Sequence, residues 1–143
     1  MSVASIINHC EEIYQDLNFT YVKEWKKKNN SKAVGFLPVY VPREIIHAAG
    51  LLPVGLMGAG NNLDIIKGDA YFQSYICHIP RSTVEMAVTG MLDPIDGFLF
   101  PAICDVIRNL SGMFKTIFPN KYVKFMDFPQ NFSKNLRVFF NIF

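Results

Sequence analysis

No two cysteines in this chain stand near one another. Cys10, Cys77 and Cys104 are far apart, and the C-x2-C spacing of most structural zinc sites is missing. An odd number of thiols without a short-spaced pair argues against a disulfide framework; it suits free or metal-bound thiols in a reducing compartment. Net charge is also slight. A surplus of +2 does not point to a nucleic-acid partner. The clearest basic cluster, Lys26-Lys27-Lys28 beside Asn29, Asn30 and Ser31, reads as a solvated loop after a helix. The opening "MSVASIINHCEEIYQDL" carries acids early and has no long apolar centre, so it does not read as a signal peptide. A cytoplasmic setting is the expectation.

One run lacks charge altogether. Residues 45–63 contain no Lys, Arg, Asp or Glu, and a membrane span takes roughly 20 apolar residues. His47, Pro53, four glycines and the Asn61-Asn62 pair break that run into a helix end, a short strand and a loop. No membrane span is expected. The loop "GLMGAGNN" does not open an amphipathic helix and is not followed by Lys-Ser or Lys-Thr. It therefore reads as a turn rather than a dinucleotide or P-loop phosphate site.

What is present is apolar. Half of the 143 residues are hydrophobic and 14% are aromatic, enough for one domain with a true core. Val3, Ile6, Ile7, Cys10, Ile13, Tyr14 and Leu17 recur at helical spacing, which predicts a first helix with Cys10 buried on its apolar face. A second helical piece is expected around residues 21–28 with Trp25 inward. Residues 33–40 read as a buried strand. Pro42 opens a helix through Ala49 capped by Gly50, and residues 51–57 form another strand.

After "DAYFQSYIC", Pro80 marks a helix start, with Ser82 and Glu85 at capping-box spacing and Val84, Ala87, Val88 and Met91 inward. Residues 95–100 are a strand, and Cys104 opens a helix with Val106, Ile107, Leu110, Met113 and Phe114 inward. Residues 122–128 form a last strand. Strands alternating with helices predict an α/β fold, with a mainly parallel sheet flanked by helices behind an amino-terminal helical segment.

Ligands of open α/β sheets bind beyond the carboxyl ends of the strands, and this reading puts Cys77 and Cys104 there. Helix amino termini offer unpaired N–H groups and partial positive charge, an environment that favours thiolate. From the residues alone several roles stay open: buried structural cysteines, a zinc site, a catalytic thiol served by His78 or His47, or ligands of an iron–sulfur cluster, for which two thiols are too few.

The stretches "GFLPVYVPREIIHAAGLLPVGLMGAG", "DAYFQSYICHIPRSTVE" and "DGFLFPAICDVIRNLSGMFK" resemble the benzoyl-CoA reductase / 2-hydroxyglutaryl-CoA dehydratase family, most of all its C (gamma-type) reductase subunits. The similarity runs from near Met1 to about Asn131. It implies Rossmann-like or flavodoxin-like lobes that pair with a paralogous subunit and hold 4Fe–4S clusters near a CoA thioester. It further implies a separate ATP-hydrolysing activator, with reduced ferredoxin as the electron source. The reaction implied is reduction of the aromatic ring of an aryl-CoA, or, in the dehydratase branch, loss of water from a 2-hydroxyacyl-CoA.

Cys77 and Cys104 match the family's first two cluster cysteines. Glu44, in "PREIIHAAG", matches a region near the active site and is a candidate proton-handling residue; it equally suits the first turn of a helix. Arg81 and Arg108 are candidates for neutralising phosphate or cluster charge, or are ordinary salt-bridged arginines. Family subunits are longer and carry a second lobe with a further ligand. The expected organisation is therefore a helical segment over 1–30, an α/β lobe over 31–131 and a divergent tail over 132–143. The chain reads as a truncated amino-terminal lobe, inactive alone.

Overall fold

The computed structural model describes residues 2–127. The expectation for 132–143, and the last residues of the 31–131 stretch, lie outside them. Two helices come first, α1 (Val3–Gln15) and α2 (Thr20–Asn29). Then follow β1 (Ala33–Phe36), α3 (Arg43–Ala48), β2 (Leu52–Gly55), α4 (His78–Val88), β3 (Gly97–Pro101), α5 (Asp105–Ile117) and β4 (Tyr122–Met126). The strands form one four-stranded sheet in the order β2-β1-β3-β4, and every pairing is parallel. This is the flavodoxin-like order, in which the direction of winding reverses between β1 and β3. The chain has the α/β fold that the alternating pattern predicts.

Winding direction also sets the layers. The step from β1 to β2 runs one way across the sheet; the steps from β2 to β3 and from β3 to β4 run the other way. With right-handed crossovers, α3 lies on one face and α4 and α5 share the other. Those two helices pack against each other. Their face holds the core. Phe98 and Phe100 point to it from β3, and the Phe114 ring of α5 meets both edge-on at 4.9 Å. Phe118 stacks on Phe98 at 5.0 Å. Ile107, Leu110 and Phe114 give α5 its buried stripe, as its periodicity predicts. Gly35 leaves room for this packing: a Cβ there would lie 3.1–3.2 Å from Ile95, Leu56 and Phe98.

Several expectations need correction. β1 ends at Phe36 rather than Tyr40, because Pro38 has no N–H to donate and Val39 (φ 81°) and Tyr40 (φ 62°) turn left-handed. α4 begins at His78, two residues before Pro80, with Cys77 as its N-cap. Ser82 therefore sits inside the helix, bonded to the His78 and Ile79 carbonyls at 3.0 and 3.1 Å, and does not cap it. α1 buries none of its residues. It faces the body across a cleft of about 440 Å³ lined by Cys10, Ile13, Tyr14, Leu17, Leu52 and Val54, and Cys10 is exposed rather than core. In α2 the inward residue is Val22, with Trp25 half-buried. Among the described residues no helix is long and apolar enough to cross a membrane.

The lysine cluster is not all solvated. Lys26 Nζ lies 2.6 Å from Asp96 Oδ2 and donates to the Pro94 carbonyl at 2.7 Å. Asp96 Oδ2 also accepts the Ala33 N–H at 2.8 Å. Sequence spacing alone does not reveal this tie, which joins α2 to the amino edge of β1 and β3. Burial by itself would raise the Asp96 carboxyl. The Lys26 hydrogen bond, the Ala33 amide and the charges of Lys26 and Lys32 outweigh burial, so its pKa lies below the ordinary 3.8. A depressed carboxylate stabilises the fold fully above its unfolded value and loses that effect as pH falls through the folded one. Asp96→Asn is therefore expected to cost about 1–2 kcal/mol in urea unfolding at pH 7. The gap between the native and variant chains should close as pH drops below 3.8; a gap constant with pH would contradict the ion pair.

Candidate functional site

Each helix that follows a parallel strand starts at the sheet's carboxyl edge. Cys104 is the N-cap of α5, immediately beyond β3 at the point where the winding reverses. Cys77 is the N-cap of α4, the helix packed beside α5. The structure thus brings both cysteines to one edge and to neighbouring helix ends, on the same side of the sheet. Both are exposed. Neither thiol accepts a capping bond from its own helix, so neither side chain is consumed by local structure.

The two helix ends differ in their donors. Pro80 sits in the first turn of α4 and has no N–H, so His78 and Ile79 supply the free amides there. α5 keeps its first-turn amides and adds the carboxylate of Asp105 beside Cys104. Its first helical bond closes from the Arg108 N–H to the Cys104 carbonyl at 3.2 Å.

Glu44 stands in the first turn of α3, at the same edge but on the helix of the other face. Its carboxylate is exposed and lies 3.6 Å from Arg43 Nε. The loop before it holds Val39 and Tyr40 in the left-handed region, a costly backbone for a β-branched residue, of order 1–3 kcal/mol. Arg81 is engaged. Its Nε and Nη2 donate to Asp69 Oδ1 at 3.0 and 2.5 Å, and Nη1 donates to the Ser74 carbonyl at 3.2 Å. Arg108 lies over the Phe125 ring at 5.5 Å. His47 occupies the last turn of α3, at the far end of that helix from Glu44.

Cysteine sulfurs are the donor chemistry of an iron–sulfur cluster, whose sulfurs also accept N–H bonds. Among the described residues, however, no three His, Cys, Asp or Glu side chains converge to hold a metal ion. Two cysteines by themselves leave the donor set of such a cluster incomplete. Sequence reasoning missed the way residues 56–77 are held, since Arg81, Ser82 and Glu85 all clasp that loop from α4. The signal was present as the buried carboxylate of "PRSTVE", read as a cap.

Comparison with known proteins bears on this edge. The family model for the D-component of 2-hydroxyglutaryl-CoA dehydratase matches residues 38–140. The chain is 59% identical over 133 residues to the C-type subunit of benzoyl-CoA reductase from Thauera aromatica, covering 92% of this chain and 34% of that protein. It is 33% identical over 131 residues to the beta subunit of (R)-2-hydroxyglutaryl-CoA dehydratase of Acidaminococcus fermentans, covering 91% and 34%. With the (R)-phenyllactyl-CoA dehydratase beta subunit of Clostridium sporogenes it shares 32% over 111 residues, 78% of this chain and 29% of that one. The chain spans about a third of the length of these curated relatives.

All three cysteines are exposed. Iodoacetamide applied to the full chain without denaturant is therefore expected to add one group at each of Cys10, Cys77 and Cys104, read by intact mass and peptide mapping. A protected cysteine would contradict the geometry.

Proposed function

The chain belongs to the 2-hydroxyglutaryl-CoA dehydratase D-component family, and from that premise we propose that it is the cluster-binding lobe of a benzoyl-CoA reductase subunit. One observation carries the reading. Two cysteines with exposed thiols occupy the N-cap positions of adjacent helices at the carboxyl edge of a parallel sheet, in a chain 59% identical to a reductase subunit. Cys77 and Cys104 are the proposed ligands of a 4Fe–4S cluster, with a further ligand supplied from outside the described residues. When bound, such a cluster supplies single electrons at low potential.

The chain's own residues do the rest. The amides at the starts of α4 and α5 place partial positive charge beside the two cysteines, on the side where an anionic cluster would be held. Glu44, exposed at the same edge, is the proposed polar group for proton handling. Reduction of an aryl-CoA ring to a cyclic diene adds a pair of electrons and a pair of protons, so a proton source at this edge is required. In this reading a paralogous subunit pairs with the chain to make the complex. An ATP-hydrolysing activator, fed by reduced ferredoxin, energises the electrons, and the setting is cytoplasmic.

A second reading has its own support. The family description and the relatives at 33% and 32% identity name dehydratases. In that case the same edge would serve loss of water from a 2-hydroxyacyl-CoA. The higher identity to the reductase subunit favours ring reduction.

Anaerobic reconstitution with iron and sulfide tests the ligands. The full chain, assembled with its partner subunit, is expected to gain visible charge-transfer absorption, and Cys77→Ser and Cys104→Ser are each expected to remove most of it. Unchanged absorption in both variants would refute the assignment. With the activator present, the native assembly should reduce benzoyl-CoA. Dehydration of a 2-hydroxyacyl-CoA without ring reduction would move the assignment to the lyase branch.

A further inference from the structure

Residues 56–77 form the longest connection between two strands or helices among the described residues, with one 3-10 turn at Gly68–Ala70. The connection ends at Cys77. What holds it comes from the helix that follows. Glu85 is 3% exposed, and its Oε2 accepts the Ile66 N–H at 3.0 Å and the Gly68 N–H at 2.6 Å. Among the described residues no lysine or arginine pairs with this carboxylate. Its partners are backbone amides of the loop.

One helical turn earlier, Arg81 reaches Asp69 and the Ser74 carbonyl, and the Ser82 Oγ accepts the Ala59 N–H at 3.3 Å. Gly68 is pressed so close to α4 that a Cβ there would meet the Arg81 carbonyl at 2.7 Å. Phe72 adds an apolar anchor, 8% exposed. A buried carboxylate is costly unless it organises its surroundings. Here one oxygen collects two loop amides, and Arg81 fastens the remaining stretch up to Ser74.

We propose that Glu85 is a positioning residue for Cys77. By gathering the Ile66 and Gly68 amides it anchors the connection at its middle, so the thiol at the end is presented in one place at the start of α4. Its importance for catalysis rests on the assignment of Cys77 as a metal-binding thiol, but its physical content does not require metal.

The test uses nitroxide labels on the full chain, in Cys10→Ser, Cys104→Ser for a single label at Cys77 and in Cys10→Ser, Cys77→Ser for a single label at Cys104. Glu85→Leu removes the acceptor at similar volume; Glu85→Gln keeps a carbonyl oxygen for both amides. In Glu85→Leu the mobile fraction of the Cys77 label is expected to rise at least about fivefold, the scale of losing a buried double acceptor. The Cys104 label should stay unchanged, and Glu85→Gln should restore the native spectrum at Cys77. An unchanged Cys77 label, equal loosening at both labels, or a Gln variant that behaves like Leu would overturn the proposal.

If Glu85→Leu does not fold, hydrogen exchange of the native chain decides. Ile66 and Gly68 amides slower than those of Asn61 and Leu63 support the anchor, and equal rates refute it. No metal enters these measurements, so failure of the iron–sulfur assignment leaves them interpretable.

Discussion

Parallel pairing of the strands is the constraint from which the candidate site follows. A parallel strand must be followed by a crossover, and the crossover helix runs back toward the amino edge. Every such helix therefore begins at the carboxyl edge, whatever its place in the chain. Cys77 and Cys104, distant in sequence, reach the same rim because each caps a crossover helix. Glu44 arrives there by the same rule, on the helix of the opposite face. The reversal of strand order between β1 and β3 opens the rim next to Cys104.

The edge is built by rigid and costly parts. Behind it, the Phe98, Phe100, Phe114 and Phe118 rings lock α5 onto β3. Buried Glu85 and half-buried Arg81 fasten the connection that leads to Cys77. Beside them, Val39 and Tyr40 hold left-handed backbone in the loop before Glu44. Such features are found where structure is arranged for a ligand. The opposite edge is tied by Lys26, Asp96 and the Ala33 amide, and serves the fold.

The sequence carried the fold where side-chain period and burial agree. The stripe of Ile107, Leu110 and Phe114 announces α5, and proline and glycine punctuation marks α3 between its two strands. Cys104 was legible at a helix start because strand, proline and cysteine follow one another, and Cys77 because Pro80 marks a helix just after it. Less was readable where tertiary contact overrode local signals. Ser82 and Glu85 have capping-box spacing, but Pro80 fits the third position of a helix as well as the first, and α4 starts earlier. The periodic α1 predicted a buried face, yet period does not say what covers it, and Cys10 faces an open cleft. Lys26 looked solvated because its partner Asp96 is far along the chain.

In the proposed site the sulfurs of Cys77 and Cys104 share one neighbourhood above the sheet. Packed helices lie about 8–10 Å apart, so a thiol-specific cross-linker of about 10 Å span is the direct probe. In a Cys10→Ser background, brief treatment of the dilute full chain should give one major product, an intramolecular Cys77–Cys104 bridge identified by peptide mapping. Single adducts at both thiols, with no bridge, would contradict the shared site.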